Sequence, residues 1–232
     1  MDTTPRMPPS PATPGTPAVG PLEITAWYDY HCPYSFRAVE WLLGLAPDHV
    51  RPRFRAFPLE QVNRDATATA WRLWEQPLDY LHYRERQDRR PLHAFLATAL
   101  IEATEAPAVV DRFRLAVYRA RFDDHADISD VDLLVRLAAA VGADGHRLAR
   151  ALGDEAALGE ARASLATAWR EARAEYEVFG VPTLQTPGER PFYLRLDRAV
   201  EPDEAVGLLD RVLGLRRDAP LVIELKLPDP VG

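Results

Sequence analysis

The segment Leu22-Glu23-Ile24-Thr25-Ala26-Trp27-Tyr28 alternates apolar and polar side chains and is rich in β-formers, which predicts a strand. Asp29-Tyr30-His31-Cys32 follows as a short loop, and Pro33 opens a helix over Tyr34 to Leu45. Proline suits a first helical turn because its missing N–H would be unpaired there anyway. Phe36, Val39, Leu42 and Leu43 recur at helical spacing and predict the inner face, and Gly44 and Pro47 mark the end. Arg53-Phe54-Arg55-Ala56-Phe57 alternates again, so a second strand is expected, stopped by Pro58. A strand, helix and strand of this length form a βαβ unit with parallel strands.

The texture then changes. From about Thr67 to Tyr176 there is no strand pattern, and alanine, leucine, arginine and glutamate dominate. About six helices are expected there, with Pro77, Pro91 and Pro107 each at a helix start. Ser129 or Asp130 is expected to cap a helix carrying Leu133, Leu134 and Leu137 inward, ended by Gly142. A long helix is expected from about Asp154 to Tyr176. Strand texture returns at Thr183-Leu184-Gln185 and at Pro191 to Leu196, joined by Thr186-Pro187-Gly188-Glu189 as a hairpin. Pro202 to Leu213 reads as a helix, and Leu221 to Leu227 as a further short strand.

The order is therefore β-α-β, a helical block, then β-β-α. It predicts one α/β domain (21–64 and 177–232) split by an all-helical insertion (65–176). The first 20 residues carry Pro5, Pro8, Pro9, Pro11, Pro14 and Pro17 and no apolar h-region. They are expected to be a disordered tail and not a signal peptide.

The chain has 232 residues, 47% of them hydrophobic and 27% charged, a balance that fits a water-soluble globular protein. Its longest apolar run, around Trp41 to Ala46, is far short of the about 20 residues that span a bilayer. A net charge of −7 argues against a scaffold held by nucleic-acid phosphates. Only Lys226 among the basic residues is a lysine, a compositional bias rather than a functional signal. With a single cysteine, an internal disulfide and a four-cysteine zinc site are impossible. A cytoplasmic location, no membrane partner and no bound metal are expected.

That cysteine sits where chemistry is favoured. With Pro33 as first helical residue, Cys32 is the N-cap, and its sulfur lies beside the unpaired N–H groups of Tyr34 and Ser35. Those donors and the helix dipole favour a thiolate, so a pKa below the free value of about 8.5 is expected. The Ser35 hydroxyl, three residues on, is placed to reach the sulfur, and His31 to add positive charge or a hydrogen bond. A thiolate is the nucleophile of disulfide exchange. Against this, a lone cysteine is often just a small buried apolar residue.

Gly180-Val181-Pro182-Thr183 supplies the second motif. Taken in order, Asp29, Cys32-Pro33-Tyr34-Ser35, Phe54 to Asn63, the helical block and Gly180-Val181-Pro182-Thr183 make a set spanning Leu22 to about Leu213. This set resembles the thioredoxin-fold proteins of the DsbA family, in particular the FrnE-like and polyketide-biosynthesis dithiol isomerase branch. The resemblance implies a thioredoxin-like fold with a helical insertion. It implies that Pro182 is cis and packs against the cysteine motif, with the Val181 backbone pairing with an extended thiol substrate. It assigns Cys32, Ser35 and Pro182 to catalysis, and His31, Pro33, Tyr34, Val181 and Thr183 to binding the substrate or thiol.

Dithiol members carry a second cysteine where this chain has Ser35. The expected activity is therefore thiol–disulfide exchange through Cys32 alone. The second thiol comes from a disulfide-containing protein substrate or from glutathione, mycothiol or bacillithiol as co-substrate, with no tightly bound cofactor. Pro33-Tyr34-Ser35 is also similar to the motif of kappa-class glutathione transferases and 2-hydroxychromene-2-carboxylate isomerases, where a serine stands in place of Cys32. A thiol-dependent transferase or isomerase, and a non-enzymatic binding protein, are the alternatives. His82, His93, His125 and His146 lack metal spacing and read as surface or capping residues. Trp71, Trp74, Tyr80 and Tyr83 read as core before pocket, and Arg84, Arg86, Arg89 and Arg90 as a solvated face before an anion site.

Overall fold

A computed structural model describes residues 20–65, 70–219 and 222. Residues 1–19 of the expected tail, and the strand expected at Leu221 to Leu227 apart from Val222, lie outside the described residues. Strand β1 (Leu22–Tyr28) leads into helix α1 (Pro33–Gly44), strand β2 (Val50–Ala56) and the short helix α2 (Leu59–Asp65). Helices α3 (Leu92–Glu102), α4 (Pro107–Phe122), α5 (Val131–Ala140), α6 (Gly145–Leu152) and α7 (Glu155–Ala174) follow. Strands β3 (Thr183–Gln185) and β4 (Phe192–Tyr193) and helix α8 (Ala205–Asp218) complete the order. This is an α/β thioredoxin fold carrying a helical insertion.

The four strands form one sheet in the order β2-β1-β3-β4. Strand β1 pairs in parallel with β2, Leu22 opposite Val50 and Tyr28 opposite Ala56. It pairs antiparallel with β3, and β3 with β4. Strand β2 begins three residues before the expected Arg53 and runs through Pro52. A proline lacks the ladder donor and normally demotes a strand, but β2 is an edge strand, where one face of hydrogen bonds is not needed.

Three buried clusters hold the fold. Ile24 and Ala26 of β1 meet Trp41 and Leu42 of α1 and Leu209 of α8, and the Trp41 Nε1–H donates to the Ala205 carbonyl at 3.0 Å. Tyr28 faces the same side of β1, because strand side chains alternate. It enters a larger cluster with Phe95, Phe113, Tyr118 and Leu165 of the insertion. The insertion thus shares its core with the sheet. Trp27 faces the other side and joins Cys32, Phe57, Ala172, Val178 and Val181.

The insertion holds five α-helices among the described residues, one fewer than expected. Its first part forms only two 3-10 turns, Leu73–Glu75 and Gln87–Arg89, and Pro77 begins a turn instead of a helix. This stretch satisfies its backbone through side chains: Gln61 of α2 donates to the Trp71 carbonyl at 3.0 Å and accepts from the Leu73 N–H at 2.7 Å. Pro107 does open α4, Asp130 caps α5 and Asp154 caps α7. Trp74 and Tyr80 are core, with Trp71 packed against them. His82 and His93, expected as surface or capping residues, are both buried, and His82 Nδ1 accepts the Arg84 N–H at 3.2 Å.

Candidate active site

Cys32 ends the β1–α1 loop as the N-cap of α1, with φ −94° and ψ 113°. Its Sγ accepts the Ser35 N–H at 3.4 Å and donates to the Val181 carbonyl at 3.5 Å. Val181 is joined to Pro182 by a cis peptide bond. Cys32, Ser35, Val181 and Pro182 therefore share one locus at the end of β1 and the start of β3, although 149 positions separate the cysteine from Val181. Pro33 occupies the first helical position and is exposed. The Thr183 hydroxyl donates to the Gly180 carbonyl at 2.7 Å, closing the turn that presents Val181. Its side chain is buried, so Thr183 shapes the loop from within.

The electrostatics of the cysteine differ from expectation. Cys32 is only 5% exposed. Burial pushes its thiol up from the ordinary value; the Ser35 hydroxyl and the Ser35 and Tyr34 N–H groups pull down, and the Asp29 carboxyl pushes up again. The helix terminus alone predicts a depressed pKa; desolvation by Trp27, Phe57, Ala172, Val178 and Val181 outweighs that terminus.

His31 departs as well. Its Nδ1 accepts from the Arg121 Nε–H of α4 at 3.1 Å. Burial, then Arg121, Arg89 and His82, lower its pKa to about 3, so it is neutral at physiological pH and adds no positive charge. Tyr34 is half-buried, with the Arg195 guanidinium stacked 4.0 Å from its ring and also bonded to its hydroxyl.

Asp29 organises the loop. Its Oδ1 accepts the His31 N–H at 2.6 Å and its Oδ2 the Leu59 N–H at 2.7 Å, tying the cysteine loop to the start of α2. Burial pushes its carboxyl up to about 6 against these two hydrogen bonds. Its backbone carbonyl accepts from the Cys32 N–H at 3.1 Å and from the Tyr118 hydroxyl at 2.9 Å. The Asp29 N–H donates to Ser35 Oγ at 3.4 Å. Sequence spacing marks Asp29 but not this clamp, and nothing local marks Tyr118, Arg121 or Arg195. Two exposed rings, Phe179 and Tyr193, stand 5.6 Å apart on the loop and strand that flank Val181.

Chemically, the locus offers a sulfur nucleophile, three donors to hold it as a thiolate, and the Val181 carbonyl beside it. Ser35 supplies a hydroxyl where a resolving thiol would be needed for an internal disulfide.

Known proteins agree with this architecture. The family model described as the DSBA-like thioredoxin domain matches residues 23–198. No curated protein matches the sequence. Among solved structures, the cytosolic disulfide reductase DsbM from Pseudomonas aeruginosa with GSH is 20% identical, with a TM-score of 0.56, covering 83% of this chain and 99% of its own. A probable DsbA oxidoreductase from Streptomyces coelicolor is 20% identical, with a TM-score of 0.55 and coverages of 90% and 94%. A 2-hydroxychromene-2-carboxylate isomerase is 20% identical, with a TM-score of 0.54 and coverages of 86% and 99%. At such identity these likenesses carry the fold. The family match covers most of the chain, and the protein belongs to the DSBA-like thioredoxin domain family.

Proposed function

We propose that the protein is a thiol–disulfide oxidoreductase working through Cys32 alone, with a small thiol or a partner protein as the second thiol. The observation that carries this reading is the pairing of the Cys32 sulfur with the Ser35 N–H and the Val181 carbonyl in a chain with one cysteine. At rest the thiol is protonated and its hydrogen points to Val181. An incoming disulfide that pairs with the Val181 backbone takes over that carbonyl's surroundings, and the Cys32 proton passes to solvent. The thiolate, held by the Ser35 N–H, the Ser35 hydroxyl and the Tyr34 N–H, attacks one substrate sulfur. The substrate S–S bond breaks, a Cys32 mixed disulfide forms, and the departing thiolate takes up a proton. A hydroxyl cannot displace sulfur from that bond, so an external thiol must attack Cys32 or its partner sulfur to complete the cycle. Glutathione, mycothiol and bacillithiol fit this part, and a cytoplasmic location, where small thiols are abundant, belongs to the same reading. The similar DsbM was solved with GSH, which supports the class of co-substrate.

A second reading is favoured by the raised pKa of Cys32 and the Pro33-Tyr34-Ser35 triplet. A bound small thiol would then be the nucleophile of a transferase or isomerase reaction. Intact mass after incubation with oxidised small thiols at pH 8 to 9 separates the two. The oxidoreductase reading expects one persistent adduct on the wild type, none on Cys32→Ser, and insulin reduction gained by Ser35→Cys. No adduct on the wild type and a silent Ser35→Cys variant would overturn it.

A further inference from the structure

The net charge of the chain is −7, yet cations gather one residue from Cys32. Arg121 of α4 gives its Nε–H to His31 Nδ1. In the neutral imidazole that bond places the His31 proton on Nε2 and fixes the direction of the Arg121 guanidinium. Among the described residues, no hydrogen-bond or ion-pair partner takes the terminal nitrogens of Arg121. Arg89, in the 3-10 turn that faces it, is exposed, and its guanidinium is likewise without a partner among the described residues. On Arg121, burial first and then the charges of Arg89 and Arg86 disfavour the cation, against the attraction of Asp88 and Asp127.

The neighbouring acids Asp88 and Asp127 offset part of the charge on Arg121 but bond neither guanidinium. Asp88 is held by Arg86 through two bonds of 2.9 Å. Asp127 is engaged by the Ser129 N–H and hydroxyl at 2.8 and 2.7 Å. The remaining arginines of the run are structural: Arg90 donates to the Leu78 and Gln87 carbonyls and to Ser129, and Arg84 lies over the Tyr83 ring at 5.1 Å. Arg89 and Arg121 are thus left as two guanidinium groups with N–H groups that no acid bonds among the described residues, and this is the side chain best suited to grip a carboxylate.

We propose that Arg89 and Arg121, with Arg121 oriented by His31, hold a carboxylate of an anionic small thiol or its disulfide while its sulfur exchanges with Cys32. This rests on the oxidoreductase reading and narrows it to a class of co-substrate. A tripeptide-sized thiol reaches about 10 Å when extended, enough to bridge from the cysteine across the His31 position. The exchange itself is unchanged: the Cys32 thiolate displaces one half of the disulfide, which leaves as a thiolate and is protonated by solvent. The anion site supplies affinity and orientation, not electrons.

The test compares three disulfides of different charge: oxidised glutathione, bis(2-hydroxyethyl) disulfide and cystamine. The rate of mixed-disulfide formation on Cys32 is divided by the rate of the same disulfide with free cysteine, which removes differences between leaving groups. The proposal expects oxidised glutathione to be preferred, and the preference to shrink in high salt. Arg89→Glu and Arg121→Gln should each lower the ratio of glutathione to neutral disulfide about three- to fivefold, the range for a partly exposed ion pair. A ratio that neither variant changes would overturn the proposal and leave the oxidoreductase reading intact. S-methylglutathione, which cannot exchange, gives the second readout by calorimetry. If Cys32 reacts with none of the disulfides, the oxidoreductase reading fails; weaker binding of S-methylglutathione to Arg89→Glu then still upholds the anion site, and unchanged binding overturns it.

Discussion

Replacing Asp29 with asparagine removes one charge and one acceptor from the loop that carries Cys32. Asp29 is 1% exposed, and its carboxyl titrates at about 6 instead of 3.8. A raised folded-state pKa means that the folded protein binds the proton more tightly than the unfolded chain. The group therefore favours folding most below pH 3.8, and that advantage is lost as pH rises towards 6. At about 1.36 kcal/mol per pKa unit, the whole effect is about 3 kcal/mol, and about 2 kcal/mol of it falls between pH 4.5 and 7.5. Asparagine escapes this cost, but its single acceptor oxygen serves only one of the two N–H groups of His31 and Leu59. The other then faces an amide NH2 and loses about 1–3 kcal/mol. The two effects offset one another near neutral pH, so Asp29→Asn is expected to unfold in urea close to the wild type at pH 7.5. At pH 4.5 it should be about 2 kcal/mol less stable relative to wild type than at pH 7.5. Urea titrations of both proteins across this range measure the difference, in which every other titrating group cancels. A stability difference that does not change with pH would refute the reasoning, because Asp29 would then titrate as an ordinary carboxylate.

Iodoacetamide should alkylate wild-type Cys32 more slowly than it does glutathione at pH 7, with a midpoint above the free-thiol value of about 8.5. The midpoint should move down in Asp29→Asn, because the Asp29 carboxyl pushes the thiol up. His93 is 6% exposed and burial lowers its pKa to about 4, so stability is lost as pH falls below 6.5. His93→Gln should remove about 2 kcal/mol of the loss between pH 7 and 5 in the same urea assay. Arg114 is 2% exposed between Glu102 at 2.8 Å and Asp111 at 2.5 Å, with its guanidinium 4.6 Å from the Phe54 ring. Arg114→Met should destabilise at the lower end of about 3–5 kcal/mol, since both acids are partly exposed and rehydrate.

Much of the fold was legible because it depends on local alternation and punctuation. Leu22 to Tyr28 forms β1 as its period of two predicts, Pro33 opens α1, and Asp154 caps the long α7. Where local signals misled, neighbours had overruled them. Pro52 sits inside β2 because that strand is at an edge, and Pro77 begins no helix because Gln61 ties the chain on either side of Leu73 into an irregular path. The pairing of Cys32 with Ser35 also follows from the chain itself, since an N-cap side chain meets the N–H three residues on wherever that helix begins.

Residue order alone settles which chemistry is available: one thiol, at a helix start, with no second thiol to resolve it. How that thiol behaves is a matter of packing. Trp27, Phe57, Ala172, Val178 and Val181 come from four separate parts of the chain to exclude water from Cys32. Asp29 adds a negative charge on the same side, and burial, with Arg121 beside it, keeps His31 from any role as a cation. A helix terminus acts within one turn and can be read from a few residues. Desolvation depends on everything packed around an atom, and no spacing of residues along a chain records it.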